Sequence, residues 1–205
     1  IDYICATQSG AKKDILTLDI VKKNIDINNR IIKLNFPMTY NQNDLNHARD
    51  IASLKMKQKL NEGKNLAFIT LGDPLFYSTY IYILKRLNKD NSDIKIETIP
   101  GITSISACSA NNNLPLAEND ENFAVISKIK NKKHLRNTIE MFENVVVLKL
   151  SRNFEKIYQI LDEMNLKENA VFTSRCGQKE EFVTENIESL NPKNINYLSL
   201  LITKN

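Results

Sequence analysis

The residues best placed for chemistry in this sequence sit in short turns that follow apolar runs. They are Gly72-Asp73-Pro74, Pro100-Gly101-Ile102-Thr103-Ser104, Leu150-Ser151-Arg152 and Arg175-Cys176-Gly177. Glycine permits a tight turn and lets a ligand come close to the backbone, while proline fixes φ and withholds an N–H. A strand, a sharp turn with one carboxylate and a helix make a ledge for a ligand, and in open α/β sheets ligands lie at the carboxyl ends of strands. Taken singly, each turn also has a purely structural account. Gly-Asp-Pro punctuates the chain, Thr103 caps a helix, and Ser104, Ser106, Ala107 and Ala110 permit close helix packing.

Several chemistries are argued against. None of the five glycines forms G-x-G-x-x-G or a phosphate-binding loop, against the usual dinucleotide and nucleoside-triphosphate sites. His47 and His134 stand alone in helical stretches, no Cys/His pair has ligand spacing, and no metal site is expected. No G-x-S-x-G elbow marks a serine hydrolase. Cys5, Cys108 and Cys176 are odd in number and widely spaced, which speaks against a disulfide framework and fits a reducing cytoplasm. The formal charge of +4 suits an acidic small molecule and is weak support for nucleic acid. Lys128, Lys130, Lys132, Lys133 and His134 form the densest basic cluster, read here as a solvated face. No apolar run approaches the length of a membrane span.

The elements that must position these turns alternate between strand and helix, the pattern of an α/β protein. Apolar periodicity predicts helices over Asp14–Asn24, Asp44–Leu60, Thr103–Ala110, Lys133–Phe142 and Phe154–Met164. A further helical stripe runs through Leu75, Phe76, Tyr80, Ile83, Leu84 and Leu87. Strands are predicted at Ile1–Ala6, Arg30–Leu34, Leu66–Leu71, Ile94–Ile99, Phe123–Ser127, Val145–Leu150, Ala170–Ser174 and Tyr197–Thr203. The texture changes after Asn111–Asn113, where Leu114–Glu121 carries a proline and several acids. The expected domains are therefore 1–113 and 114–205.

Together the turns form a recognisable set. Gly72–Tyr80 reads G-D-P-L-F-Y-S-T-Y, Pro100–Ser104 reads P-G-I-T-S, and Leu114–Glu118 reads L-P-L-A-E. With Phe36-Pro37-Met38-Thr39, Arg175-Cys176-Gly177 and Ser199-Leu200-Leu201-Ile202, they resemble the tetrapyrrole methylases of cobalamin biosynthesis along essentially the whole chain. The branch resembled most is the precorrin-2 C-20 methyltransferases. The resemblance implies a two-domain α/β architecture with the ligand cleft between domains, S-adenosylmethionine as methyl donor, and a homodimer. It implies cofactor contacts at Gly72, Asp73, Phe76, Thr103, Ser104, Leu150, Cys176 and Ser199. Family members open with a strand and a G-x-G-P-G-D turn. That string is absent here, so the first domain is expected to lack its first, central strand and its glycine-rich turn.

The implied reaction is methyl transfer to C-20 of precorrin-2 or cobalt-factor II, an acidic tetrapyrrole. No strongly basic residue is demanded, and the proton acceptor is unassigned among Tyr77, Tyr80 and Glu118. Arg49, Arg152 and Arg175 are candidate partners for the macrocycle's carboxylates. The alternatives are a sister methylase acting at another ring position and a non-catalytic, truncated binding protein of the same fold.

Overall fold

The computed structural model describes residues 1–8, 16–27, 29–89 and 93–205, which divide into two compact units, Ile1–Ile102 and Thr103–Asn205. In the first unit, strands Tyr3–Gln8 (β1), Ile31–Asn35 (β2) and Leu66–Ile69 (β3) form a sheet ordered β2-β1-β3 with both ladders parallel. Parallel neighbours need crossover connections. Helices Leu16–Lys22 (α1) and Gln42–Asn61 (α2) lie between these strands in sequence, and Tyr80–Asn88 (α3) follows β3. Successive β1 side chains point to opposite faces. Cys5 packs with Leu34, Ala52, Met56, Ile83 and Leu87, whereas Ile4 and Ala6 pack with Leu18 and Ile27.

The strand predicted at Ile1–Ala6 is present as β1, displaced to Tyr3–Gln8. It is hydrogen-bonded to a neighbour on each side. The segment that follows β1, including Gly10, Asp14 and Ile15, lies outside the described residues. Conversely, Ile94–Ile99 joins no ladder among the described residues. Its alternation serves packing, with Ile96 against the core and the Thr98 hydroxyl 2.8 Å from that of Tyr80.

The second unit begins with helix Ser104–Asn111 (α4). Its strands are Phe123–Ile126 (β4), Asn144–Leu148 (β5), Ala170–Ser174 (β6), Phe182–Thr184 (β7) and Ser199–Lys204 (β8), in the order β4-β5-β8-β6-β7. Only β4 and β5 run parallel; the other ladders are antiparallel. Helices Lys132–Met141 (α5) and Phe154–Glu163 (α6) bury Leu135, Ile139, Ile157 and Leu161 against Val145, Val147, Phe172 and Leu201. The opposite face, through Val146, Leu200 and Ile202, receives Ile105 and Cys108 of α4. With both faces covered, β5 and β8 read as continuous apolar runs. The division thus falls at 102/103 and not at 113/114, because α4 packs on the second sheet although the composition changes only after it. Among the described residues, no helix is long and apolar enough to cross a membrane.

At the amino end of β4 and β5 two carboxylates hold the sheet's edge. Glu121 accepts from the Asn144 side chain at 2.9 Å and from the Glu118 N–H at 3.0 Å, and Glu143 accepts from the Asn122 N–H at 2.9 Å. These hydrogen bonds hold both carboxyls below their ordinary range, Glu121 chiefly through Asn144 and Glu143 chiefly through Asn122. A depressed folded-state value contributes stability above the unfolded value, roughly pH 4 for glutamate, and that stability is lost as pH falls through the folded value. Thermal midpoints of the wild type are expected to fall more steeply below that pH than those of the Glu121→Gln, Glu143→Gln double variant. Parallel acid limbs would refute the assignment.

Candidate functional site

In the first unit the candidate residues lie on the loop between β3 and α3. The helical stripe read from the sequence starts too early, since the helix begins only at Tyr80. Gly72 and Tyr77 have positive φ, 69° and 53°, and two left-handed residues interrupt any helix before Ser78. Leu75, Phe76 and Tyr77 are consequently released from the core and exposed, with the rings of Phe76 and Tyr77 edge-to-face at 4.7 Å.

Asp73 shapes this loop. Its Oδ1 accepts from the Leu75 N–H at 2.8 Å, and its Oδ2 accepts from the Gly101 N–H at 3.0 Å, across a long separation in sequence. Gly101 lies so close to the loop that an added Cβ would collide with the Gly72 carbonyl oxygen and stand 3.0 Å from its carbon. At the far end of the loop the Ser78 hydroxyl accepts from the Tyr80 N–H at 3.2 Å and lies 3.1 Å from the Thr70 hydroxyl. Thus Gly72, Asp73 and Gly101 are brought together by construction. Tyr80 is buried and bonded to Thr98, which makes it a packing residue. A cavity of about 640 Å³ beside β3 includes Gly72, Pro74, Gly101 and the Ile94–Pro100 segment in its lining. A second, of about 630 Å³, is lined by Phe36, Pro37, Asp44, His47 and Lys55.

In the second unit the remaining candidates gather at one end of the sheet. β5 and β6 both run antiparallel to β8, with Leu148 opposite Leu200 and Ser174 opposite Ser199. The carboxyl ends of β5 and β6 therefore meet the start of β8, and Leu150, Cys176 and Ser199 share that end. Leu150 is fully buried, and Lys149 before it is left-handed at φ 59°. The Ser199 hydroxyl donates to the Asn196 carbonyl at 2.7 Å. Thr103 caps α4, accepting from the Ser106 N–H at 3.1 Å, while Ser104 is exposed. α4 is fastened to this end of the sheet by the Asn112 side chain, 2.9 Å from the Thr173 hydroxyl, and by Glu181, which accepts from both Asn111 and the Gly177 N–H.

Cys176 is half-buried against the cluster that holds Cys108. Burial, then a hydrogen bond with Cys176, pushes the Cys108 thiol up, and burial alone pushes Cys5 up to about 12. Two arginines read as carboxylate partners are already engaged. Arg49 stacks 3.6 Å over Tyr82 and donates to Asn46 at 3.2 Å, and Arg175 pairs with Glu180.

The residues present fit S-adenosylmethionine. A flat base needs exposed apolar surface, which Leu75, Phe76 and Tyr77 offer. Close approach of the donor needs backbone without side chains, which Gly72 and Gly101 offer. Gly101's packing role and the Cys108–Cys176 contact were not singled out from sequence; only the small residues around Gly101 hinted at the first.

The latch can be tested by substitution. Asn at position 73 can accept only one of the two N–H donors and presents its own N–H to the other, at a cost of about 1–3 kcal/mol. Asp73→Asn is expected to lower the urea midpoint and speed amide exchange at Gly101. Gly101→Ala forces the loop aside, at roughly 1–3 kcal/mol. Unchanged midpoints in both variants would show that the latch is not strained or stabilising.

Comparison with known proteins agrees with this architecture. The family pattern of the Tetrapyrrole (Corrin/Porphyrin) Methylases matches residues 3–191. A probable cobalt-precorrin-2 C(20)-methyltransferase of Methanocaldococcus jannaschii is 30% identical over 100% of this chain and 85% of its own length. The cobalt-precorrin-2 C(20)-methyltransferase of Salmonella typhimurium is 25% identical over 93% of this chain and 79% of its own. Among solved structures, a cobalt precorrin-4 methyltransferase superposes with a TM-score of 0.68 at 14% identity, covering 98% of this chain and 83% of that one. A uroporphyrin-III C-methyl transferase from Thermus thermophilus, complexed with S-adenyl homocysteine, superposes with a TM-score of 0.61 at 15% identity, covering 98% and 84%. This chain belongs to the tetrapyrrole methylases.

Proposed function

We propose that this chain is an S-adenosylmethionine-dependent methyltransferase acting on C-20 of precorrin-2 or its cobalt complex in cobalamin biosynthesis, working as a cytoplasmic homodimer. The observation that carries the reading is the match, along the whole chain, to relatives named for that reaction. The Gly72–Asp73–Gly101 latch and the shared sheet end of Leu150, Cys176 and Ser199 supply surfaces of the right chemistry.

Bound S-adenosylmethionine supplies an electrophilic methyl group. The macrocycle is electron-rich and needs no activated side chain as nucleophile, so the protein's task is to hold the two reactants in line. Such positioning supplies up to roughly 7–11 kcal/mol of barrier reduction. Phe76 and its exposed neighbours take the apolar part of the cofactor. Gly72 in the first unit, and Thr103, Ser104, Leu150, Cys176 and Ser199 in the second, are the further proposed cofactor contacts. Asp73 acts mainly by fixing the loop, since both its oxygens already accept main-chain N–H groups.

Calorimetric titration of S-adenosylhomocysteine, followed by turnover with precorrin-2 and cobalt-precorrin-2, tests the reading. Saturable binding and methylation located at C-20 are expected. Methylation elsewhere would assign a sister activity, and binding without turnover would leave a non-catalytic member of the fold. S-adenosylhomocysteine is also expected to slow the reaction of Cys176 with a thiol reagent, while Cys5 and Cys108 stay unreactive until the protein unfolds. Unprotected Cys176 would remove it from the cofactor site.

A further inference from the structure

The family reading leaves one strongly charged feature unused. Lys128, Lys130, Lys132 and Lys133 are all exposed, on the loop from β4 into the first turn of α5. Lys132 reaches Glu163 only at 3.9 Å. Among the described residues no carboxylate lies within ion-pair distance of Lys128, Lys130 or Lys133, whereas Arg136 on the same helix is paired with Glu163 and Glu140.

Helix stability does not account for these lysines. The first turn of α5 contains no acid, and its N-cap need is met by Asn131, whose side chain accepts from the His134 N–H at 2.8 Å. Positive charge at the positive end of a helix is unfavourable. The approach to the helix alternates Lys128-Ile129-Lys130, and Ile129 is buried in the core, so it anchors the loop while the flanking lysines stand out from it.

The topology places this loop beside the candidate site. β4 is the parallel neighbour of β5, with Ile126 opposite Val147. The loop therefore leaves the same end of the sheet as Leu150, Cys176 and Ser199. A macrocycle bearing several flexible carboxylate arms requires cations near its binding site that are not already neutralised. Arg49 and Arg175 are engaged elsewhere, and these lysines are not.

We propose that Lys128, Lys130 and Lys133 form a docking site for the carboxylate arms of the tetrapyrrole substrate, setting its affinity and approach rather than the chemistry. This inference rests on the substrate class proposed above. Compact ammonium groups on long stems suit it, because several arms of varied reach can be met without fixed geometry.

Steady-state methylation by the full chain tests it, with the wild type compared with Lys128→Gln, Lys130→Gln, Lys133→Gln and with the three corresponding Lys→Arg changes. The Gln variant is expected to raise the KM for the tetrapyrrole about tenfold, with kcat within about twofold. S-adenosylhomocysteine affinity should not change, and the Arg variant should restore KM. Raising salt from roughly 50 to 300 mM should raise the wild-type KM and hardly move that of the Gln variant. Equal KM values and equal salt slopes would overturn the proposal. Equilibrium binding of a polycarboxylate porphyrin, read by its fluorescence, separates the loop from the assigned reaction. Lysine-dependent binding supports the docking site even where turnover fails, and absent or lysine-independent binding overturns it.

Discussion

One close approach between backbones organises the exposed loop that follows β3 in the first unit. Gly101 sits against the Gly72 carbonyl with no room for a side chain, and Asp73 ties the two turns by accepting from the Gly101 and Leu75 N–H groups. A carboxylate that accepts main-chain hydrogen bonds on both oxygens is a strong clamp, because charge-assisted bonds exceed neutral ones. With the loop held at both ends, the left-handed backbone at Gly72 and Tyr77 stays in place, and Leu75, Phe76 and Tyr77 are presented outward instead of collapsing into α3. The exposed apolar surface follows from the clamp.

The second unit uses a related device. Glu181 accepts from Asn111 at the end of α4 and from the Gly177 N–H in the turn after β6. The Asn112 side chain adds a bond to Thr173, and Cys108 lies with Cys176 beneath. The turn that carries Cys176 is thereby fixed to the helix that Thr103 caps. Leu150 and Ser199 need no such clamp, since each is buried at the end of a ladder strand or just past it.

Polar groups divide by whether the fold has claimed them. Arg49, Arg175, Tyr80 and Thr103, all of which could hold a ligand, are committed to stacking, ion pairing, hydrogen bonding or capping. Lys128, Lys130 and Lys133 have no carboxylate partner among the described residues, and Lys133 in the first turn of α5 opposes the helix dipole. A charge placed where local structure disfavours it points to something outside the fold. In the sequence the same run reads as ordinary solvated surface, since neither its missing partners nor its nearness to Leu150 is visible there.

Local pattern determined much on its own. The alternation of strands and helices, the 3.6-residue stripes of α2, α5 and α6, and the strands β2, β5, β6 and β8 follow from periodicity and turn residues, because burial on one or both faces writes itself into neighbouring positions. The family was legible in the turn strings, which are short and contiguous. Tertiary structure alone decided that β1 pairs along both edges, that Ile94–Ile99 joins no ladder among the described residues, that α3 starts at Tyr80 and that α4 belongs to the second unit. Each depends on what lies across space. A strand is central only if both edges find partners, and a helix belongs with the sheet that buries its apolar face. A glycine such as Gly101 becomes indispensable only when another backbone occupies the volume its side chain would need.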